Sequence, residues 1–266
     1  MHKFFLGSIT LSAFIFAASC GNQNNQDSEN VLPDHNNSLM ALDWPGVYFG
    51  VLPCADCEGI ETTIVLGADM TYNKEMLYMG KSDEIFRETG KLEADETGNK
   101  LIFVPSGEAT EKRIFKLGEN TLTRLDMAGN AIEGQLAEKY ILRQINIPFL
   151  EKRWDFIQVY ETDRTAIEKM ERKPYIVFKA ARNRAYGNSS CNRFTGSFVS
   201  ESDNLLKFNP MMSTKMACSS DNAENQILSS LQETDSYQIN GDTLQLMNGE
   251  KGTLATLLLS SEPLDE

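Results

Sequence analysis

Cys54 and Cys57 lie three positions apart within Leu52-Pro53-Cys54-Ala55-Asp56-Cys57-Glu58-Gly59-Ile60-Glu61-Thr62, and no other spacing in the chain speaks as directly of chemistry. Two sulfurs so placed either cross-link or hold a metal, and three readings follow. In an oxidising compartment the pair closes a tight disulfide that pins the loop between two strands. As thiolates the two suit a soft cation such as Cu(I), with Met70, Met76 and Met79 as candidate thioether ligands if the fold gathers them, although methionine also fills gaps in apolar cores. A thioredoxin-type pair needs its first cysteine at a helix N-terminus, where the dipole stabilises the thiolate. Here Ile60 to Leu66 reads as a strand, and Pro53, Asp56 and Glu58 also work against a thiolate. Cys191 and Cys218 make a second pair, expected as a disulfide; closing a loop of that length stabilises by roughly 3 to 4 kcal/mol in the chain-entropy model.

The two histidines, His2 and His35, both precede the folded part of the chain. That removes the Ser-His-Asp and Cys-His triads and the ordinary imidazole-bound catalytic zinc. Carboxylates are plentiful, but no spacing singles out one pair among 38 acidic residues. A non-enzymatic role is the expectation.

Compartment decides what the thiols do, and the N-terminus supplies it. Met1, His2 and Lys3 precede an apolar run from Phe4 to Phe16, then Ala17-Ala18-Ser19-Cys20. Small residues before a cysteine form a lipobox-like site, so residues 1–19 read as a signal peptide and Cys20 as the lipidated residue. Ordinary cleavage would leave Cys20 as an odd thiol among five cysteines. A spanning helix is the weaker rival, because the run falls short of the roughly 18 residues needed. More than one acyl chain on Cys20 gives stable anchoring. The chain has a formal charge of -13, and losing Lys3 leaves 24 basic side chains against 38 acidic ones. An acidic body without a basic stripe excludes nucleic acid as a partner. Residues 20–42 hold Cys20 and an Asn- and Gln-rich tether, too polar to bury itself.

The body reads as two β-rich domains, 43–147 and 148–266. In the first, eight short runs with turn residues between them read as strands: Val47 to Leu52, Ile60 to Leu66, Met70 to Leu77, Ile85 to Leu92, Leu101 to Val104, Lys112 to Leu117, Thr121 to Leu125 and Tyr140 to Ile145. Such a meander removes its edges by closing into a small, lipocalin-like antiparallel β-barrel. Pro148 lies in the stretch from Asn146 to Glu151, which reads as the boundary. Beyond it the pattern is mainly β with one substantial helix, with Asp221 as its cap, Glu224 three residues on, and Ile227, Leu228 and Leu231 as the apolar stripe. Asn240-Gly241 and Asn248-Gly249 signal hairpins.

Gly46-Val47-Tyr48, Gly50 and the run from Val51 to Thr62 with its Cys-Ala-Asp-Cys-Glu-Gly-Ile core resemble the NlpE N-terminal domain family over roughly residues 43 to 145. In the second half, Gly187-Asn188-Ser189-Ser190-Cys191-Asn192-Arg193-Phe194-Thr195-Gly196-Ser197-Phe198, then Met212 to Cys218 and Glu224 to Leu231, is similar to the META domain of HslJ-like proteins. Ser190 stands where the META pattern usually has glycine, and META stands where an NlpE relative carries an OB-like domain. The META pattern makes Asn192, Arg193 and Gly196 a turn scaffold, with Arg193 pairing locally. The NlpE resemblance implies a lipid-anchored barrel in the cell envelope, on the outer membrane of a Gram-negative bacterium, serving envelope stress or copper resistance. Its implied partners are the membrane, through the lipid, and an envelope sensor or chaperone protein; its one implied metal is copper. It also admits Cys191 and Cys218 as sensor thiols whose oxidation reports on envelope folding. Two alternatives stand beside it: a carrier of a small apolar ligand inside the first barrel, and a thiol-disulfide redox protein using Cys54 and Cys57.

Overall fold

The computed structural model describes residues 37–107, 112–160, 167–170, 172–201, 204–217, 223–262 and 264. Eight antiparallel strands, β1 (Gly46–Leu52), β2 (Gly59–Leu66), β3 (Thr71–Met79), β4 (Ile85–Ala94), β5 (Lys100–Pro105), β6 (Arg113–Gly118), β7 (Thr121–Arg124) and β8 (Ile141–Ile145), pair in chain order, and β8 closes on β1. Closure follows from the alternation, because a ring buries one face of every strand and leaves no open edge. Ile64 of β2 sits beside Lys74 of β3, and Leu66 beside Tyr72, on the inner face. Tyr72, Phe103 and Phe115 stack through the interior with ring centroids 4.5 and 4.6 Å apart. A short helix, α1 (Ser38–Ala41), closes one end: Leu39 N donates to Gly98 O at 3.1 Å and Ser38 Oγ to Asn99 Oδ1 at 2.8 Å. β3 starts after Met70, not on it, because Met70 takes φ of +62° in the turn from Gly67.

The second half contributes β9 (Lys152–Val159), β10 (Tyr175–Lys179), β11 (Arg184–Asn188), β12 (Arg193–Glu201), β13 (Leu205–Phe208), β14 (Met212–Ser213), β15 (Ser236–Asn240), β16 (Thr243–Asn248) and β17 (Gly252–Leu259). Their order is β11-β10-β9-β17-β16-β15-β13-β12-β14, and pairing of β11 with β12 closes a second eight-stranded barrel with β14 at its side. The sequence shows these strands but not their closure, in which the β13–β15 join is short, with Leu205 opposite Ser236. Helix α2 (Glu224–Glu233) lays Ile227 and Leu231 on the core, each side chain contributing about 1.5 to 3 kcal/mol by burial.

Two local readings change. Asp221 lies outside the described residues, and Glu224 is the first helical residue, so it forms no capping box with an N-cap three positions back. Its carboxylate instead accepts from Asn192 Nδ2 at 2.7 Å and Ser213 Oγ at 2.8 Å. Asn240 stays in β15 paired with Thr243, so the tight turn is Gly241-Asp242, and only Gly241 has positive φ.

Both barrels belong to one compact unit. Val47 on the outer wall of the first barrel is buried in the same apolar cluster as Trp154, Phe178 and Leu257, and Phe49, Val65 and Ile145 pack against it. The stretch around Pro148 is therefore part of a core. Phe149 is fully buried, with its ring 4.6 Å from Phe178 and 4.8 Å from Tyr237, and its carbonyl accepts from Trp154 Nε1 at 3.0 Å. Among the described residues no helix is long and apolar enough to cross a membrane.

Candidate functional site

The β1–β2 loop carries Cys54 and Cys57, which are joined as a disulfide with Cα atoms 5.4 Å apart. β1 ends at Leu52 and β2 resumes at Gly59, so Cys57 leads into a strand and neither sulfur stands at a helix N-terminus. The dipole that would stabilise a redox thiolate is absent from this loop. Asp56 reaches Lys81 on the β3–β4 turn, and that hydrogen bond and the nearby ammonium hold its carboxyl below the usual range. Cys54, Asp56 and Cys57 offer ligand atoms that all lie within 4.8 Å of one another. As a disulfide the pair has no thiolate to offer; reduced, it places two sulfurs and one carboxylate on an outer loop, a donor set that fits a soft monovalent cation of low coordination number.

The three methionines do not gather there. Met70 lies in the turn at the opposite end of β3 and packs on the barrel core. Met76 lines a cavity between the barrels. Met79, paired with Gly59, is the one at the loop end of the ladder. The reason is length: nine extended residues from Thr71 to Met79 separate the first methionine from the last by roughly 30 Å.

Inside the barrel a second feature escapes sequence reading. Ile64, Lys74 and Glu88 are neighbours across β2, β3 and β4. Glu88 accepts from Lys74 Nζ at 2.7 Å, Tyr72 Oη at 2.7 Å and Arg113 Nη1 at 2.6 Å. Burial pushes the Lys74 ammonium down to about 8, against the pull of Glu88. Burial works to raise Glu88, but its bonds from Lys74 and Tyr72 hold it below the usual carboxylate range. Aromatic rings and this charged cluster both line the interior of the first barrel. The alternation of Tyr72 and Lys74 on the inner face of β3 is the one sequence signal that could have found Lys74.

In the second barrel Cys191 is disulfide-bonded; Cys218, its expected partner, lies outside the described residues, as does Cys20. Asn192 ties three segments together: its Oδ1 accepts from Thr214 Oγ1 at 2.7 Å and Met216 N at 2.8 Å, while its Nδ2 reaches Glu224. Gly196 lets Met211 approach so closely that an added Cβ would lie 2.4 Å from its sulfur. Arg193 is exposed; its backbone N–H donates to Thr214 Oγ1 at 3.2 Å and its carbonyl accepts from Thr214 N at 3.0 Å. Ser190 has φ of +89°, the backbone region that favours glycine.

Residues 48–135 match the NlpE N-terminal domain and residues 147–261 the META domain. Lipoprotein NlpE of Escherichia coli (strain K12) is 35% identical over 104 residues, a match covering 39% of this chain and 43% of that protein, so the chain spans less than half the length of this curated relative. Among solved structures, a lipoprotein from Shewanella oneidensis is 45% identical, covering 44% of this chain and 100% of its own, with a TM-score of 0.39. The Cpx pathway activator NlpE from Escherichia coli is 25% identical, covering 62% of this chain and 95% of its own, with a TM-score of 0.30. Residues 48–135 are thus similar to the NlpE N-terminal domain and residues 147–261 to the META domain.

Proposed function

We propose that this chain is a lipid-anchored cell-envelope protein, held at Cys20 on the outer membrane, with a non-enzymatic role in envelope stress or copper resistance. The observation that carries the reading is the Cys54–Cys57 pair on an outer loop of the NlpE domain, with Asp56 beside it. Oxidised, the pair is a staple; after two-electron reduction by a dithiol reductant, which is itself oxidised to a disulfide, it is two thiols, and binding of Cu(I) through both sulfurs releases their protons to water, with Cys54 and Cys57 as the ligands. The loop therefore has two chemical states set by envelope redox poise and copper supply. A state change at the rim of a rigid barrel is a suitable signal for a sensor or chaperone partner.

The test is a Cu(I) titration, against a competing chelator, of the fully reduced mature protein beside its Cys54→Ser, Cys57→Ser double variant. Tight uptake of one ion by the reduced wild type and its loss in the variant supports the reading. Equal uptake by both, or none by either, overturns the copper half of it.

A further inference from the structure

The two barrels meet around a cavity of about 1080 Å³ that neither barrel contains alone. Its first wall is the outer face of β2 to β4, where Thr63, Glu75 and Arg87 are cross-strand neighbours. Its second wall comes from β10 to β12 and β14 of the META barrel, with Lys179, Tyr186, Phe194 and Met212. The volume is at the upper end of what small-molecule sites occupy.

The charge of the lining is opposite to that of the protein. Lys179, Arg87, Arg182, Arg184 and Arg193 face Glu61, Glu75 and Asp83, five cations against three anions in a chain of formal charge -13. A second, smaller cavity of about 440 Å³ shares Tyr175 and Arg193 with the first and adds Arg153, Arg172 and Lys173 against Glu262. Several of these cations already have partners: Lys179 holds Glu75, Arg87 Nε reaches Glu75 at 3.2 Å, and Arg184 Nε reaches Thr195 Oγ1 at 3.2 Å. Arg193, common to both cavities, is exposed.

Between the cations the lining is apolar, with Leu77 and Ile85 from the first barrel facing Phe194 and Met212 from the second. Two polar atoms in this wall have no hydrogen-bond partner although they are buried: Thr63 Oγ1, on a side chain 2% exposed, and Glu75 Oε2. Glu75 Oε2 can only accept, whereas the Thr63 hydroxyl can both donate and accept, and neither has a partner. A buried acceptor left in that state is destabilising, and a bound donor would relieve it.

We propose that the inter-barrel cavity binds a small amphipathic organic anion. Its acidic head lies on Arg193 at the mouth, its apolar body lies between Ile85 and Met212, and an N–H or O–H of the ligand reaches Thr63 and Glu75. The site needs both domains, which gives the joining of an NlpE domain to a META domain a chemical purpose. It does not involve Cys54 or Cys57 and stands apart from the copper reading.

The probe is 8-anilinonaphthalene-1-sulfonate, which combines a sulfonate, an aromatic body and one N–H. It is titrated by fluorescence into the mature chain carrying Cys20→Ser, so that no acyl chain competes. Saturable binding of one molecule is expected. Arg193→Glu, at an exposed residue, and Ile85→Trp, which fills the cavity from the other barrel, should each weaken it by at least about tenfold, because one opposes the charge and the other takes the space. Adding Cys54→Ser and Cys57→Ser should leave it unchanged. Laurate as displacing agent identifies a free carboxylate as the natural class, whereas displacement only by phosphatidylglycerol vesicles identifies a lipid headgroup; either supports an anion site. No saturable binding, unchanged affinity in both variants with intact near-ultraviolet circular dichroism, or displacement by neither agent overturns the proposal.

Discussion

Lys179 Nζ, on β10 of the META barrel, lies 2.9 Å from Glu75 Oε1 on the outer wall of the NlpE barrel. The same ammonium is 2.5 Å from Glu151 Oε2, whose Oε1 accepts from Ala180 N at 2.8 Å. All three side chains are largely buried, at 9%, 16% and 4% exposure. Burial opposes the charge on Lys179, but the two carboxylates outweigh it and hold its pKa above the ordinary lysine value. The charge is fixed at the seam between the domains, beside the cavity that both of them line.

Lys179→Met leaves Glu151 buried without its cation and Glu75 with Arg87 alone, and the loss should be about 3 to 5 kcal/mol by urea unfolding. Adding Glu75→Gln and Glu151→Gln should recover much of it, because the uncompensated charges go. A loss under about 1 kcal/mol for Lys179→Met would show that the three groups are solvated and contribute as a surface pair does.

Ser190 occupies positive φ without glycine's freedom. Ser190→Gly should stabilise the protein by about 1 kcal/mol, read as a rise in the urea midpoint at unchanged slope. An unchanged or lower midpoint would mean that the serine side chain offsets the backbone cost.

Glu88 has a folded pKa below its unfolded value of about 4.3. Its contribution is therefore present above that value and is lost as pH falls through the folded one. Other lowered carboxylates, Asp95 among them, act in the same direction, so the readout is the difference between wild type and Glu88→Gln. The variant should be less stable at pH 7, and the gap should shrink as pH falls below about 4. A gap independent of pH would contradict the buried Lys74–Glu88–Arg113 cluster.

The Cys54–Cys57 bridge spans a sequence separation of three. So small a loop confers about 2 kcal/mol in the chain-entropy model, less than a long-range bridge. Cys54→Ser with Cys57→Ser should thus lower stability by no more than about 2 kcal/mol while the barrel stays folded, checked by circular dichroism.

What the sequence made legible was periodic and local. Ile60, Thr62, Ile64 and Leu66 announce an inner face by alternation, and the Cys-Ala-Asp-Cys run marks its own loop. Thr63 and Val65 lie on the other face of the same strand, yet they are buried or half-buried because a second barrel covers them, which alternation alone does not show. The Lys179–Glu75 contact joins residues more than a hundred positions apart, beyond the reach of any periodicity. Glu224 shows the same limit: its spacing suited a cap, but its carboxylate serves Asn192, a long-range partner. Ser190 was visible as a departure from glycine, and its positive φ supplies the physical meaning.

Export underlies the whole account, since only outside the cytosol do these thiols meet oxidant and copper. Non-reducing peptide mass mapping of the protein extracted from membranes tests it most directly. The account predicts a mature N-terminus at Cys20 bearing acyl chains, and a peptide in which Cys54 is linked to Cys57. Recovery of an intact, unacylated chain beginning at Met1 from the soluble fraction, with Cys54 and Cys57 as free thiols, would contradict it.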